Sequence, residues 1–348
     1  MQFPQGKPPA GVVFDSDLGN GIDDALALAL LYGLDGRNEA RVVCLSISKS
    51  NLKAAAFCDA VSRFYSGGGP FFRPLPIGLA DDGRMAEDTP MLTVPLARKD
   101  ASGAPVHKHG IERIIDTADP AAVIRNAFTA QHDGNAIVVL TGPATNLARV
   151  LELQGVKDLI SRKVRYLCVA AGAFPEGGPE ANIRGDVRAA KKLFAEWPTP
   201  IVASGQEIGN GLLFPGGSIE TDFAWSPAHP IAEAYRAYKP MPYDAPTWAM
   251  SAVLHAVRPQ EGYFRLSDPG TVTILDDGGT RFTAGSEGRH RHLILDPAQR
   301  ERIVRTYTEI ASAKPVPRMQ RFRPPQQQQQ QPPAQPPKPA EAKPPSSR

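Results

Sequence analysis

Gly11-Val12-Val13-Phe14-Asp15-Ser16-Asp17-Leu18-Gly19-Asn20-Gly21-Ile22-Asp23-Asp24 sets a short apolar run directly against four carboxylates within ten residues. The run 11–14 is β-branched and aromatic and has no polar alternation, so it reads as a strand covered on both faces. Residues 22–33 follow as a helix rich in Ala and Leu. A buried strand that ends in a polar loop and enters a helix is the first half of a βαβ unit.

The same pattern repeats outward. Strands are expected at 41–47, 136–140, 164–170 and 200–203, and helices at 52–65, through Leu147 and Leu151, and at 187–196. This alternation predicts an α/β fold with an open, mostly parallel, Rossmann-like sheet and helices on both faces. Ligands then bind at the carboxyl ends of the strands. Residues 271–275 and 281–284 flank Asp276-Asp277-Gly278-Gly279, a hairpin signal that predicts an antiparallel addition near the C-terminal end. No internal repeat is visible.

Helix capping uses one or two acids, so Asp15, Asp17, Asp23 and Asp24 exceed what capping and the helix dipole require. Like charges this close call for a cation or for protonation. Gly19 and Gly21 let the backbone fold tightly there, and a set of oxygen donors suits a hard divalent ion, Ca²⁺ above all. The loop also resembles the nucleophile loop of haloacid-dehalogenase-type phosphatases. That reading needs a second acidic pair at a later strand end, and the only candidate, Asp276-Asp277, falls in the hairpin turn.

Taken with later segments, the loop resembles the inosine/uridine-preferring nucleoside hydrolase family in a divergent bacterial form. The family pattern Asp-Thr-Asp-Pro-Gly-Ile-Asp-Asp-Ala recurs with Ser16 for Thr, Leu18 for Pro, and Asn20 and Gly21 inserted. Thr141-Gly142-Pro143-Ala144-Thr145-Asn146 is similar to the family's Thr-Gly-Pro-Leu-Thr-Asn loop. Glu180-Ala181-Asn182 matches its Glu-x-Asn pair, and Asp186 opens the next helix. Asn51 follows the second strand where the family has a substrate asparagine, and Tyr243-Asp244 stands where His-Asp is usual.

The resemblance implies Ca²⁺-dependent hydrolysis of the N-glycosidic bond of ribonucleosides or related N-ribosides, giving ribose and free base. It implies metal ligation by Asp17, Asp24, Asp244 and the Thr141 carbonyl, with Asp15 orienting the loop from behind. Asp17 would be the general base, Asp23 would join it in catalysis, and Asp23, Asn51, Glu180 and Asn182 would hold the ribose. Tyr243 would replace the histidine that protonates the leaving base, and a phenol with a pKa near 10 is a poorer acid. His107 and His109 are further candidates. Each residue also has a plainer role open to it: Asn51 or Asp244 as a helix cap, Glu180 as a solvated loop charge, Asn182 in an Asx-turn. The competing function is a non-catalytic nucleoside-binding relative whose tail recruits a partner.

Composition sets outer limits. Of 348 residues, 42% are hydrophobic and 22% charged, as in an ordinary globular chain. The net charge of +3 resides in the C-terminal segment, where residues 315–348 hold six Lys/Arg against one Glu. The remainder is slightly acidic, so no nucleic-acid partner is expected. Residues 315–348, rich in Pro and Gln, are read as a disordered tail, 1–10 as a flexible N-terminus, and 11–314 as the catalytic domain. Cys44, Cys58 and Cys168 match no zinc or disulfide pattern. No run of about 20 apolar residues and no signal peptide is visible, so no membrane partner and a cytoplasmic location are expected. The resemblance implies a homodimer or homotetramer.

Overall fold

A computed structural model describes residues 8–67, 73–81 and 86–316. The tail expected from 315 therefore lies, from 317 on, outside the described residues, as does most of the expected N-terminal segment. In the first half β1 (Ala10–Ser16), α1 (Ile22–Gly36), β2 (Ala40–Ile47), α2 (Leu52–Ser66) and β3 (Ile77–Leu79) alternate strictly. Then come α3 (Pro90–Ala97), α4 (Pro120–Ala130), β4 (Ala136–Leu140), α5 (Thr145–Val150), α6 (Val156–Lys163) and β5 (Val164–Ala170). A short β6 (Glu176–Gly177) precedes α7 (Ala181–Gly185), α8 (Val187–Glu196), β7 (Ile201–Ser204) and α9 (Gln206–Gly211).

The remainder is less regular. It holds β8 (Leu213–Phe214), α10 (Gly216–Thr221), α11 (Pro230–Tyr238), β9 (Ala245–Pro246) and α12 (Trp248–Val257). The chain ends in β10 (Arg265–Leu266), β11 (Gly270–Ile274), β12 (Thr280–Ala284), β13 (His290–Ile294) and α13 (Arg300–Ala311).

The main sheet runs β3-β2-β1-β4-β5-β7-β13-β11-β12-β6. Pairing is parallel from β3 through β13 and antiparallel beyond it, as the alternating pattern and the hairpin signal predict. Side chains alternate across it. Val12 and Phe14 join the apolar cluster under α1, α2, α11, α12 and α13, whereas Val13 joins the one under α4, α5, α6 and α8. Residues 22–35 of α1 are all buried, so that helix is a core element throughout. The three cysteines are buried and free. Among the described residues no helix is long and apolar enough to cross a membrane.

From β1 the chain moves outward through β2 to β3, then returns to the other side of β1 as β4 and proceeds through β5 to β7. The order therefore reverses between β1 and β4. At such a point the connections after neighbouring strands diverge and leave a crevice at the carboxyl ends.

Candidate functional site

At that crevice the structure has a cleft of about 360 Å³. The loop after β1 supplies Asp17, Asn20 and Gly21, and the first turn of α1 Asp23 and Asp24; Thr141 and Pro143 follow β4, and Ala170 and Ala171 close β5. Glu180 and Asn182 come from the start of α7, and Ser204 and Gln206 from the end of β7. Two aromatic residues complete it, Tyr238 at the end of α11 and Trp248 at the start of α12. Among the described residues no lysine or arginine lines the cleft, and Lys49 comes nearest, through Asn20.

Asp15 is the one acid of β1 and is fully buried behind the cleft. One of its oxygens accepts from Asn146 Nδ2 at 2.9 Å, and the other has no partner. Asp24 Oδ1 accepts from Ser16 Oγ at 2.9 Å and from Thr141 Oγ1 at 2.6 Å. Asp17 accepts from Asn20 Nδ2 at 2.5 Å, and Lys49 Nζ braces Asn20 Oδ1 at 2.7 Å. Asp23 Oδ2 accepts from the Ala249 N–H at 3.2 Å, at the N-terminal turn of α12, where the helix dipole favours an anion.

Burial dominates the electrostatics. It pushes Asp15 and Asp23 up to about 7 and raises Asp17. Asp24 is raised well above the usual carboxylate range, first by burial and then by the charges of Asp23 and Asp17. Glu180 is raised by burial as well. Carboxylates held this way take up protons or a cation.

Glu180 is 9% exposed and caps α7, accepting from the backbone N–H groups of Asn182 and Ile183, while its Oε2 also accepts from Gly172 N–H at 3.1 Å. It is a buried capping acid and not a solvated loop charge. Asn182 Nδ2 donates to the carbonyls of Thr141, at 3.0 Å, and Ala170, at 2.8 Å, tying the ends of β4 and β5 together.

Asn51, Tyr243 and Asp244 do not line the cleft. Asn51 is fully buried as the N-cap of α2: its Oδ1 accepts from Ala54 N–H, and its Nδ2 serves the 86–88 segment. Tyr243 stacks on Tyr235 with ring centroids 4.3 Å apart, and its hydroxyl donates to the Tyr235 carbonyl at 2.6 Å. Asp244 is exposed and accepts from the Gly216 N–H at 2.8 Å, at the start of α10 and not of α12. His107 is bound to Glu233 at 2.8 Å, remote from the cleft lining.

Sequence reasoning missed Ser204, Gln206, Tyr238 and Trp248. The first two sit just after an expected strand, so the carboxyl-end rule points at them. The aromatic pair lies on helices brought in from the irregular third of the chain, and no local pattern marks it.

Among the described residues no group of three or more His, Cys, Asp or Glu side chains is placed so as to hold a metal ion by itself. The donor chemistry fits a more open site. Two buried acids, Asp17 and Asp24, line the cleft together with Thr141, whose hydroxyl donates to Asp24 and whose carbonyl accepts from Asn182 Nδ2. Such a site suits a hard cation that takes its remaining oxygens from water and substrate.

The family model described as inosine-uridine preferring nucleoside hydrolase matches residues 12–308. No curated protein sequence matches the chain significantly. Among solved structures, a plant nucleoside hydrolase superposes with a TM-score of 0.63 at 21% identity, over 88% of this chain and 100% of that one. A purine-preferring ribonucleoside hydrolase from Gardnerella vaginalis gives 0.64 at 17% identity, over 88% and 99%. An inosine-uridine preferring nucleoside hydrolase from Bacillus anthracis gives 0.59 at 16%, over 87% and 99%. At these identities the likeness establishes a shared fold.

Proposed function

Because the chain belongs to the inosine-uridine preferring nucleoside hydrolase family, hydrolases acting on N-glycosidic bonds, we propose that it cleaves unphosphorylated N-ribosides to ribose and base in the cleft above β1 and β4. The observation that carries this reading is the convergence there of Asp17, Asp23, Asp24, Thr141, Glu180 and Asn182, drawn from three separate segments.

The bond breaks through an oxocarbenium-like transition state, so the site must favour positive charge on the sugar and direct water to it. Four acids, with no basic side chain among the described residues that line the cleft, supply a field of the right sign when ionised. The same field disfavours a phosphorylated sugar. Asp17 takes the proton of the attacking water. Asp23, fixed by the α12 N-terminus, accepts from a ribose hydroxyl. Asn182 has both amide hydrogens engaged, which leaves Oδ1 to accept from the sugar. Glu180 keeps its spare lone pairs for the same purpose.

Asp17, Asp24 and the Thr141 carbonyl would hold Ca²⁺, which when bound neutralises the clustered acids and lowers the pKa of nearby water. Asp244 is left out of this set because it faces solvent and holds Gly216. Tyr238 and Trp248 give the leaving base an aromatic wall, and Tyr238 replaces Tyr243 as the phenol within reach of it.

The test is reducing-sugar release from a nucleoside panel by the purified protein, with Ca²⁺ and with excess chelator. Ribose release that chelator suppresses supports the reading. Absence of release from every nucleoside, with Ca²⁺ bound, contradicts it.

A further inference from the structure

Glu180 and Asn182 reach the cleft on a long connection, residues 171–180, which leaves β5 and crosses open ground before α7 begins. Its start is fixed by the end of β7 and by α9: Ala171 N–H donates to the Ser204 carbonyl at 3.1 Å, Gln206 N–H to the Gly172 carbonyl at 2.8 Å, and Phe174 N–H to Glu207 Oε2 at 3.3 Å. The rest of it is held from outside by the β11–β12 hairpin, about a hundred residues later in the chain, none of whose residues lines the cleft.

The grip has three points. Thr280 is fully buried, and its Oγ1 accepts from the Ala173 N–H at 3.0 Å while donating to the Ala173 carbonyl at 2.8 Å. One hydroxyl thus satisfies both backbone groups of a single strap residue. Next, β12 pairs with β6, Thr280 opposite Gly177 and Arg281 opposite Glu176, and Phe282 N–H donates to the Pro175 carbonyl at 2.8 Å. Last, the Glu180 N–H donates to the Gly278 carbonyl at 3.2 Å, so the hairpin turn touches the residue that faces the substrate.

The turn is shaped for this contact. Gly278 has φ +90°, and a Cβ there would stand 2.6 Å from Arg184 Cγ on α7. A Cβ on Gly279 would stand 2.7 Å from the Gly177 carbonyl oxygen. The Gly-Gly pair therefore serves close approach to the strap as well as the turn. The hairpin has its own footing, since Val272 and Ile274 are buried in the cluster that includes α8.

We propose that the β11–β12 hairpin clamps the strap that presents Glu180 and Asn182, and that Thr280 is the positioning residue of the clamp for ribose recognition. The structural part stands on the contacts above; the ribose part rests on the proposed function. Replacing Thr280 by Val keeps shape but leaves the Ala173 N–H and carbonyl without partners in a buried place. Replacing it by Ser restores the hydroxyl.

The experiment compares full-length wild type, Thr280→Val and Thr280→Ser by hydrogen exchange and by nucleoside turnover. Thr280→Val is expected to speed amide exchange across 171–185 by about tenfold or more while β1 and β4 stay protected. It should also raise KM roughly tenfold with a smaller change in kcat, because ribose contacts act before and during the chemical step. Thr280→Ser should behave as wild type in both. Should Thr280→Val fold poorly, Thr280→Ala removes the hydroxyl without a second branch and is held to the same outcome. The clamp is overturned if strap exchange is unchanged, if exchange rises equally in β1 and β4, if KM stays at the wild-type value, or if Ser fails to rescue. A wild type inactive on every nucleoside defeats the proposed function, and the exchange comparison alone then decides the clamp.

Discussion

At the scale of the residue, the structure separates side chains that line the cleft from those engaged elsewhere. Tyr243 and Tyr238 are five residues apart, yet only Tyr238 lines the cleft. The Tyr243 hydroxyl is engaged by the Tyr235 carbonyl, and burial pushes its pKa further up. Tyr243→Phe should therefore cost about 1 kcal/mol of stability in denaturant titration and leave kcat near wild type. Tyr238→Phe should lower kcat by about tenfold on nucleosides with poor leaving groups if its hydroxyl assists departure. The reverse pattern would return Tyr243 to the site. The acids of the first loop were legible because four carboxylates after an apolar strand exceed any capping need. The phenols were not, because a Tyr-Asp pair in sequence carries no sign of which way a ring turns.

At the scale of the element, helix starts account for much of what the site residues do in the unliganded protein. Asn51 caps α2, Glu180 caps α7 and Asp186 caps α8, each through side-chain acceptance of a backbone N–H. Asn51 has no cleft-facing surface, so Asn51→Ala should destabilise by about 1–2 kcal/mol in thermal or denaturant unfolding, and KM should not change. A KM rise without loss of stability would give it back a substrate role. Strand positions were well legible: β4, β5 and α8 fall where apolar runs and helical periodicity place them. The segment from α9 to α12 was not, because its helices are short and its β8–β9 ribbon has two residues per strand. That is also the segment that delivers Tyr238 and Trp248.

At the scale of the whole molecule, the fold concentrates carboxyl groups at one point of an otherwise apolar core, and that makes stability depend on pH and cation together. Asp15 and Asp23 are pushed up to about 7, and Asp17 and Asp24 are raised too. The folded protein thus keeps protons that an unfolded chain releases near pH 4, and stability falls as pH rises from about 4 to 7. A cation bound by the same acids competes with those protons. At 100-fold excess over its Kd, Ca²⁺ should raise Tm by about 5 °C or more at pH 8 and by much less at pH 5. Buried histidines titrate over part of this range, but they cancel when protein with and without Ca²⁺ is compared at each pH. An equal shift at both pH values would place the ion elsewhere. The most direct test of the whole account is ribose release from a nucleoside by wild type and Asp17→Asn, measured side by side with Ca²⁺ present. The account predicts turnover in the wild type and a loss of about a hundredfold or more in kcat for the variant, with ribose binding retained. A variant that turns over as the wild type does would contradict it.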